Sequence, residues 1–155
     1  MKVRYTTVVD ADVRYPPRQF AREVAMYLAD PDGWESQGYE FEAVDRNASV
    51  VIHLTSPATL MKSGCGDPNL SCAELGGRNM YLNAMRWTKG AAPSRLSLDD
   101  YRQYMVSHEM GHILGHEHVS CPGHGQPVPI MVQQTLGIGA CAPNTKLTES
   151  DRRKR

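Results

Sequence analysis

Apolar residues recur along the chain with periods that change from segment to segment, and each period marks an element. Val3, Tyr5, Thr7 and Val9 alternate with their neighbours, the two-residue repeat of a half-buried strand. Pro16 and Pro17 then open a helix whose Phe20, Val24, Tyr27 and Leu28 form one stripe, and Asp30-Pro31 stops it. Tyr39, Phe41 and Ala43 alternate again, while the run from Val50 to Leu54 suits a central strand. Met80 to Leu82 adds another strand. Ser97 with Asp100 three residues later reads as a capping box, and a second helix is predicted from Leu98 to Leu114. Tyr101, Met105, His108 and His112 share one face of that helix, with Val106, Met110 and Ile113 as a second stripe beside it, so it is predicted to be buried. Strand, helix, strands and helix in that order predict an α+β (α/β-like) domain with a twisted sheet packed on helices.

A length of 155 residues fits one domain, and no repeat or long linker divides it. The expected division is a single domain over residues 1–150 and a basic, disordered tail over 151–155. Formal charge is zero, from 17 basic and 17 acidic residues, but Arg152, Arg153, Lys154 and Arg155 supply four of the basic ones. The body is therefore 13 against 17, a net −4. No other basic cluster suggests a nucleic-acid partner. No apolar run approaches the roughly 18 residues of a membrane span.

Four cysteines stand in Gly- and Pro-rich loops, Cys65 and Cys72 around one and Cys121 and Cys141 around another. Neither pair has the C-x-x-C spacing of a zinc knuckle, and an even count in such loops suits disulfides in an oxidising compartment. Four cysteines allow three pairings, of which the sequence-local one, 65 with 72 and 121 with 141, is preferred. An extracellular or cell-envelope location follows as an expectation. The signal or anchor segment it requires is absent from this sequence, and Met1 is then an added start.

Candidate chemistry is concentrated in residues 108–118, which read His-Glu-Met-Gly-His-Ile-Leu-Gly-His-Glu-His and fill every fixed position of H-E-x-x-H-x-x-G-x-x-H. This chain's own residue frequencies give an accidental match at roughly 10⁻⁵ to 10⁻⁴. His108 and His112 lie one helical turn apart, so both imidazoles can reach one ion. Gly115 can take the left-handed backbone that ends a helix, turning the chain back to bring in His118 as third ligand. Three ligands leave a position for water, and Glu109 stands beside the ion as general base. A structural zinc site is normally closed by four protein ligands and has no use for that carboxylate. Of the remaining histidines, His116 is expected near solvent or behind the ligands, His124 in a loop and His53 as a satisfied core residue.

Downstream, Cys121-Pro-Gly-His-Gly-Gln-Pro-Val-Pro-Ile-Met131 is too rich in Pro and Gly for helix or sheet. The extended histidine motif followed by a methionine in such a loop resembles the metzincin clan of zinc endopeptidases. The resemblance implies a metzincin-like fold with a mostly parallel sheet, a buried active-site helix and a Met-turn in which Met131 forms a hydrophobic floor beneath the histidines. It also implies one catalytic Zn²⁺ and hydrolysis of a peptide or protein substrate by a monomer. More narrowly, the chain is similar to an uncharacterised family of bacterial, largely actinobacterial, secreted or cell-envelope domains. That similarity runs from Asp30-Pro-Asp-Gly-Trp34 through Arg86-Trp87, the histidine helix, Cys121-Pro-Gly-His-Gly and Met131-Val-Gln-Gln-Thr135 to Cys141. Some metzincins carry a tyrosine after the Met-turn, whereas the last tyrosine here is Tyr104. Two other readings use the same residues: a noncatalytic zinc-stabilised module that binds cell-wall polymer or protein, and a zinc hydrolase of a nonpeptide amide or ester.

Overall fold

The computed structural model describes residues 1–153. Five strands, β1 (Lys2–Val9), β2 (Glu40–Ala43), β3 (Val50–Thr55), β4 (Cys72–Ala73) and β5 (Asn79–Asn83), form one sheet in the order β2-β1-β3-β5-β4. β1 runs parallel to β2 and β3, and β3 parallel to β5, while the short β4 is antiparallel to β5 at the edge. This is the α+β arrangement expected from the order of elements, with the mostly parallel sheet that the metzincin resemblance implied. Parallel neighbours need a crossover, and α1 (Pro17–Leu28) supplies the one from β1 to β2.

Strand periodicity decides which side chains meet the helices. In β3, Val50, Ile52 and Leu54 are buried, whereas Val51 and His53 are half-buried on the other face. Phe20, Val24, Tyr27 and Leu28 of α1 join Val3 and Tyr5 of β1 and Met80 and Leu82 of β5 in one core. The long helix α4 (Leu98–Ile113) closes that core with Val106 and Met110, both fully buried. Ser97 Oγ accepts from the Asp100 N–H at 3.2 Å and so satisfies one of the donors exposed at the start of α4.

His53 differs from the core histidine expected. Its ring is half-buried on the face opposite the main core, stacked on Tyr81 at 4.7 Å and hydrogen-bonded to Asn79 Oδ1 at 3.0 Å. The two-residue period places it opposite Ile52 and Leu54. Two short helices were not legible from periodicity, α2 (Pro57–Lys62) and α3 (Ala84–Lys89), because six residues make no stripe. Ser56 and Asn83 cap them by accepting from Thr59 N and Met85 N, and α3 delivers Trp87 to the core.

The chain end also differs from expectation. Residues Glu149–Arg152 form a helical turn, α5, and Asp151 is only 1% exposed. Thr148 and Asp151 make a reciprocal capping box, and the Asp151 carboxylate accepts from the backbone of 130 and 131. Asp151 and Arg152, expected in a disordered tail, are instead part of this helical turn, since the run of basic residues hid a docked acidic one. Lys154 and Arg155 lie outside the described residues.

Candidate metal centre

Helix α4 carries the first two histidines, and the way it ends delivers the third. Leu114 is the C-cap and Gly115 follows with φ 96°. Gly115 N donates to His112 O and His116 N to Gly111 O, both at 2.9 Å, which is the double bond pattern of a Schellman motif. The reversal swings residues 116–118 back along the helix. His112 Nε2 and His118 Nε2 come to 3.1 Å, and the ring centroid of His108 stands 4.9 Å from that of His112 and 5.2 Å from that of His118. Among the described residues these three offer nitrogens that all lie within 4.8 Å of one another.

Each ring on the helix is oriented from behind. His108 Nδ1 meets Ile130 O at 2.6 Å and His112 Nδ1 meets His116 O at 2.8 Å. A carbonyl can only accept, so Nδ1 carries the proton in both and Nε2 keeps its lone pair toward the centre. Burial, with His112 beside it, lowers the His108 pKa to about 3 against a partial opposing effect of the Ile130 carbonyl. Burial lowers His112 and His118 as well. All three are neutral imidazoles at physiological pH, the form that ligates metal. Tetrahedral zinc with Zn–N near 2.0–2.1 Å needs ligand nitrogens roughly 3.3 Å apart, so the 3.1 Å separation suits such an ion.

Glu109 lies on the same helix, 4% exposed, with Oε1 3.8 Å from His108 Nε2. Its Oε2 is buried and has no hydrogen-bond partner among the described residues. Burial alone raises its pKa to about 8. An acidic oxygen left unmatched inside a domain is costly unless a further group completes it. A cation and a water held beside the three nitrogens would do so, which means the residues present fit a metal.

Beneath the helix, Met131 is fully buried and lies against Gly111. A Cβ on Gly111 would overlap Met131 Sδ and stand 2.8 Å from Trp34 Cζ2. Trp34 is fixed in turn, since its Nε1 donates to Ser107 O at 2.8 Å. Above the helix opens a cleft of about 670 Å³ that includes His108, Glu109, His112 and His118. Its walls come from Tyr101, Tyr104 and Met105, from Gln133 and Thr135 after Met131, and from Leu70, Cys72 and Ala73 at the sheet edge. Cys65 is bonded to Cys72 and Cys121 to Cys141, so one disulfide lines the cleft and the other ties the segment after His118 to residue 141.

The sequence matches the family described as "Protein of unknown function (DUF3152)" over residues 2–151. The chain belongs to that family. A search of curated proteins finds no match. Among solved structures, archaemetzincin from Methanopyrus kandleri superposes with a TM-score of 0.57 at 16% identity, covering 97% of this chain and 91% of its own. Archaemetzincin from Archaeoglobus fulgidus, complexed with malonate, gives 0.51 at 15% identity over 97% and 98%. Myroilysin gives 0.54 at 15% identity over 97% and 77%. The fold of this family member is therefore metzincin-like.

His116 does not face solvent. It is 5% exposed, its ring lies 4.6 Å from that of Trp34, and its carbonyl holds His112. His124 is exposed in a turn. Tyr104 packs on His108 at 5.2 Å, but its hydroxyl donates to Val132 O and accepts from Gln134 N, so it braces the wall of the cleft. Sequence reasoning missed Gly111, Trp34, the Ile130 carbonyl and Asp151. Only Trp34 carried a signal, as part of the Asp30-Pro-Asp-Gly-Trp34 turn.

Proposed function

We propose that this protein is a zinc-dependent metalloendopeptidase, secreted or held in the cell envelope, acting as a single-domain monomer on peptide or protein substrates. The observation that carries the reading is the buried Oε2 of Glu109, without a hydrogen-bond partner among the described residues, beside three convergent imidazoles. A noncatalytic zinc module gains nothing from keeping that carboxylate. His108, His112 and His118 would hold the ion. When bound, zinc is a Lewis acid that makes water nucleophilic near neutral pH and polarises a carbonyl. Beside a cation the buried Glu109 would return to its carboxylate form, in which it would take the proton of the attacking water and pass it to the leaving amine. The cleft borders β4 at the sheet edge, where an extended peptide would meet it. Two disulfides fit an extracellular protein, and among the described residues no helix is long and apolar enough to cross a membrane.

The test is mass-spectrometric sequencing of a diverse peptide library after incubation with zinc-loaded wild type, Glu109→Ala and a chelated control. Cleavage by wild type alone is expected, with Glu109→Ala keeping its zinc and His112→Ala losing it. Full activity in purified Glu109→Ala protein would sink the assignment. Zinc binding without any cleavage would favour the binding module or a nonpeptide substrate.

A further inference from the structure

Asp151 is a buried carboxylate that neither the histidine motif nor the cleft accounts for. Its Oδ1 accepts from Met131 N at 2.8 Å, and its Oδ2 accepts from Ile130 N at 2.9 Å, Thr148 N at 2.8 Å and Thr148 Oγ1 at 3.0 Å. Among the described residues none of the salt bridges involves it. Its partners among the described residues are all uncharged donors, two of them consecutive amides in the turn below α4.

The geometry matters because the Met131 N–H and the Ile130 C=O are the two ends of one peptide group. One end donates to Asp151 and the other accepts from His108 Nδ1 at 2.6 Å. A carboxylate drawing on the N–H of a peptide polarises that peptide and makes its carbonyl a stronger acceptor. Metal-bound histidines are commonly backed by a carboxylate on their second nitrogen, which fixes the tautomer and raises ligand basicity. We infer that Asp151 fills that role for His108 through the Ile130–Met131 peptide, as a positioning residue that holds the ring and strengthens its lone pair. The inference rests on the reading of His108 as a metal ligand.

Two bonds to adjacent amides also fix the plane of that peptide, which a single bond would leave free to rock. Any tilt would move the Ile130 oxygen away from Nδ1, and the His108 ring would follow. Residues 20 or more positions apart in sequence, Asp151, Ile130 and His108, are thereby made into one unit.

The test compares Asp151→Asn, Asp151→Glu and Leu147→Ala with wild type. Leu147 is a buried neighbour in the same segment that touches none of these bonds, so it reports simple loosening of the chain end. Zinc affinity is read by competition with a chromophoric chelator, and the His108 Nδ1–H by long-range proton–nitrogen spectra of the metal-free protein. Asp151→Asn should weaken zinc about 10-fold or more and move the Nδ1–H signal upfield, whereas Leu147→Ala should lower the melting temperature and leave both unchanged. Asp151→Glu keeps the charge and should restore part of the loss; it also carries the test if the asparagine variant does not fold. Unchanged zinc affinity and an unchanged Nδ1–H in the folded variants would overturn the inference. Failure of wild type to bind zinc would instead overturn the metallopeptidase reading, and the Nδ1–H shift would still decide the coupling between Asp151 and His108.

Discussion

Gly111 and Met131 touch so closely that the glycine's missing side chain is what lets the turn seat against the helix. In an exposed helix interior, alanine is favoured over glycine by about 1 kcal/mol. Here the sign should invert. A methyl on Gly111 would meet Met131 Sδ and Trp34 Cζ2, both in fully packed surroundings, and overpacking of that kind costs about 1–3 kcal/mol. Gly111→Ala is expected to lower the melting temperature by several degrees and to weaken zinc, because Met131 is bonded through its peptide to His108. Calorimetry and zinc competition check both.

The metal-free protein should show opposing acid and base effects. Glu109 has a pKa of about 8 in the fold and an ordinary value of 4.5, so the folded state holds its proton where the unfolded state releases it. Stability from this group falls as pH rises from about 4.5 and levels off above about 8. His108 runs the other way, since a folded value of about 3 against an ordinary 6.5 removes stability as pH falls below 6.5. Glu109→Gln abolishes the first effect and keeps the second. Its melting temperature should exceed that of wild type by a margin that widens from pH 4.5 to pH 8 and is absent in acid. A constant margin across pH would contradict a buried, raised carboxyl.

His116 and His118 should separate in a zinc measurement. The His118 ring faces His112 Nε2, whereas the His116 ring is packed on Trp34 and the His116 backbone carbonyl accepts from His112 Nδ1. His118→Ala is expected to leave the protein folded with less than stoichiometric zinc after dialysis. His116→Ala should keep its zinc and melt lower, by the roughly 0.5–3 kcal/mol usual for loss of a buried side chain. Metal content by atomic emission, read beside a thermal melt, makes the comparison.

Removal of the two disulfides should give unequal costs. Chain-entropy arguments assign about 3 kcal/mol to the Cys121–Cys141 link with its separation of 20, and about 2 kcal/mol to Cys65–Cys72 with its separation of 7. The functional order should be reversed for substrate binding, because Cys65 and Cys72 line the cleft. Paired Cys→Ser variants, compared by denaturant melts and by KM on a cleaved peptide, are expected to show a larger stability loss for 121/141 and a larger KM increase for 65/72.

The sequence by itself determined what nearest neighbours along the chain can encode. Alternation in β1 and β2, the apolar run of β3, the stripe of α1 and the helical spacing of His108 and His112 are set by local geometry, as is the glycine that turns the chain toward His118. Tertiary structure decided everything that joins distant segments: the order β2-β1-β3-β5-β4, the peptide of Ile130 behind His108, the glycine contact with Met131, the stacking of His116 on Trp34 and the burial of Asp151. The reason is physical. A period of 2 or 3.6 residues fixes which face a side chain takes, whereas the partner it meets there depends on packing between segments that share no local pattern. Asp151 shows the difference most plainly, since a single acid before four basic residues reads as a solvated end until its carboxylate is seen to hold the backbone behind His108.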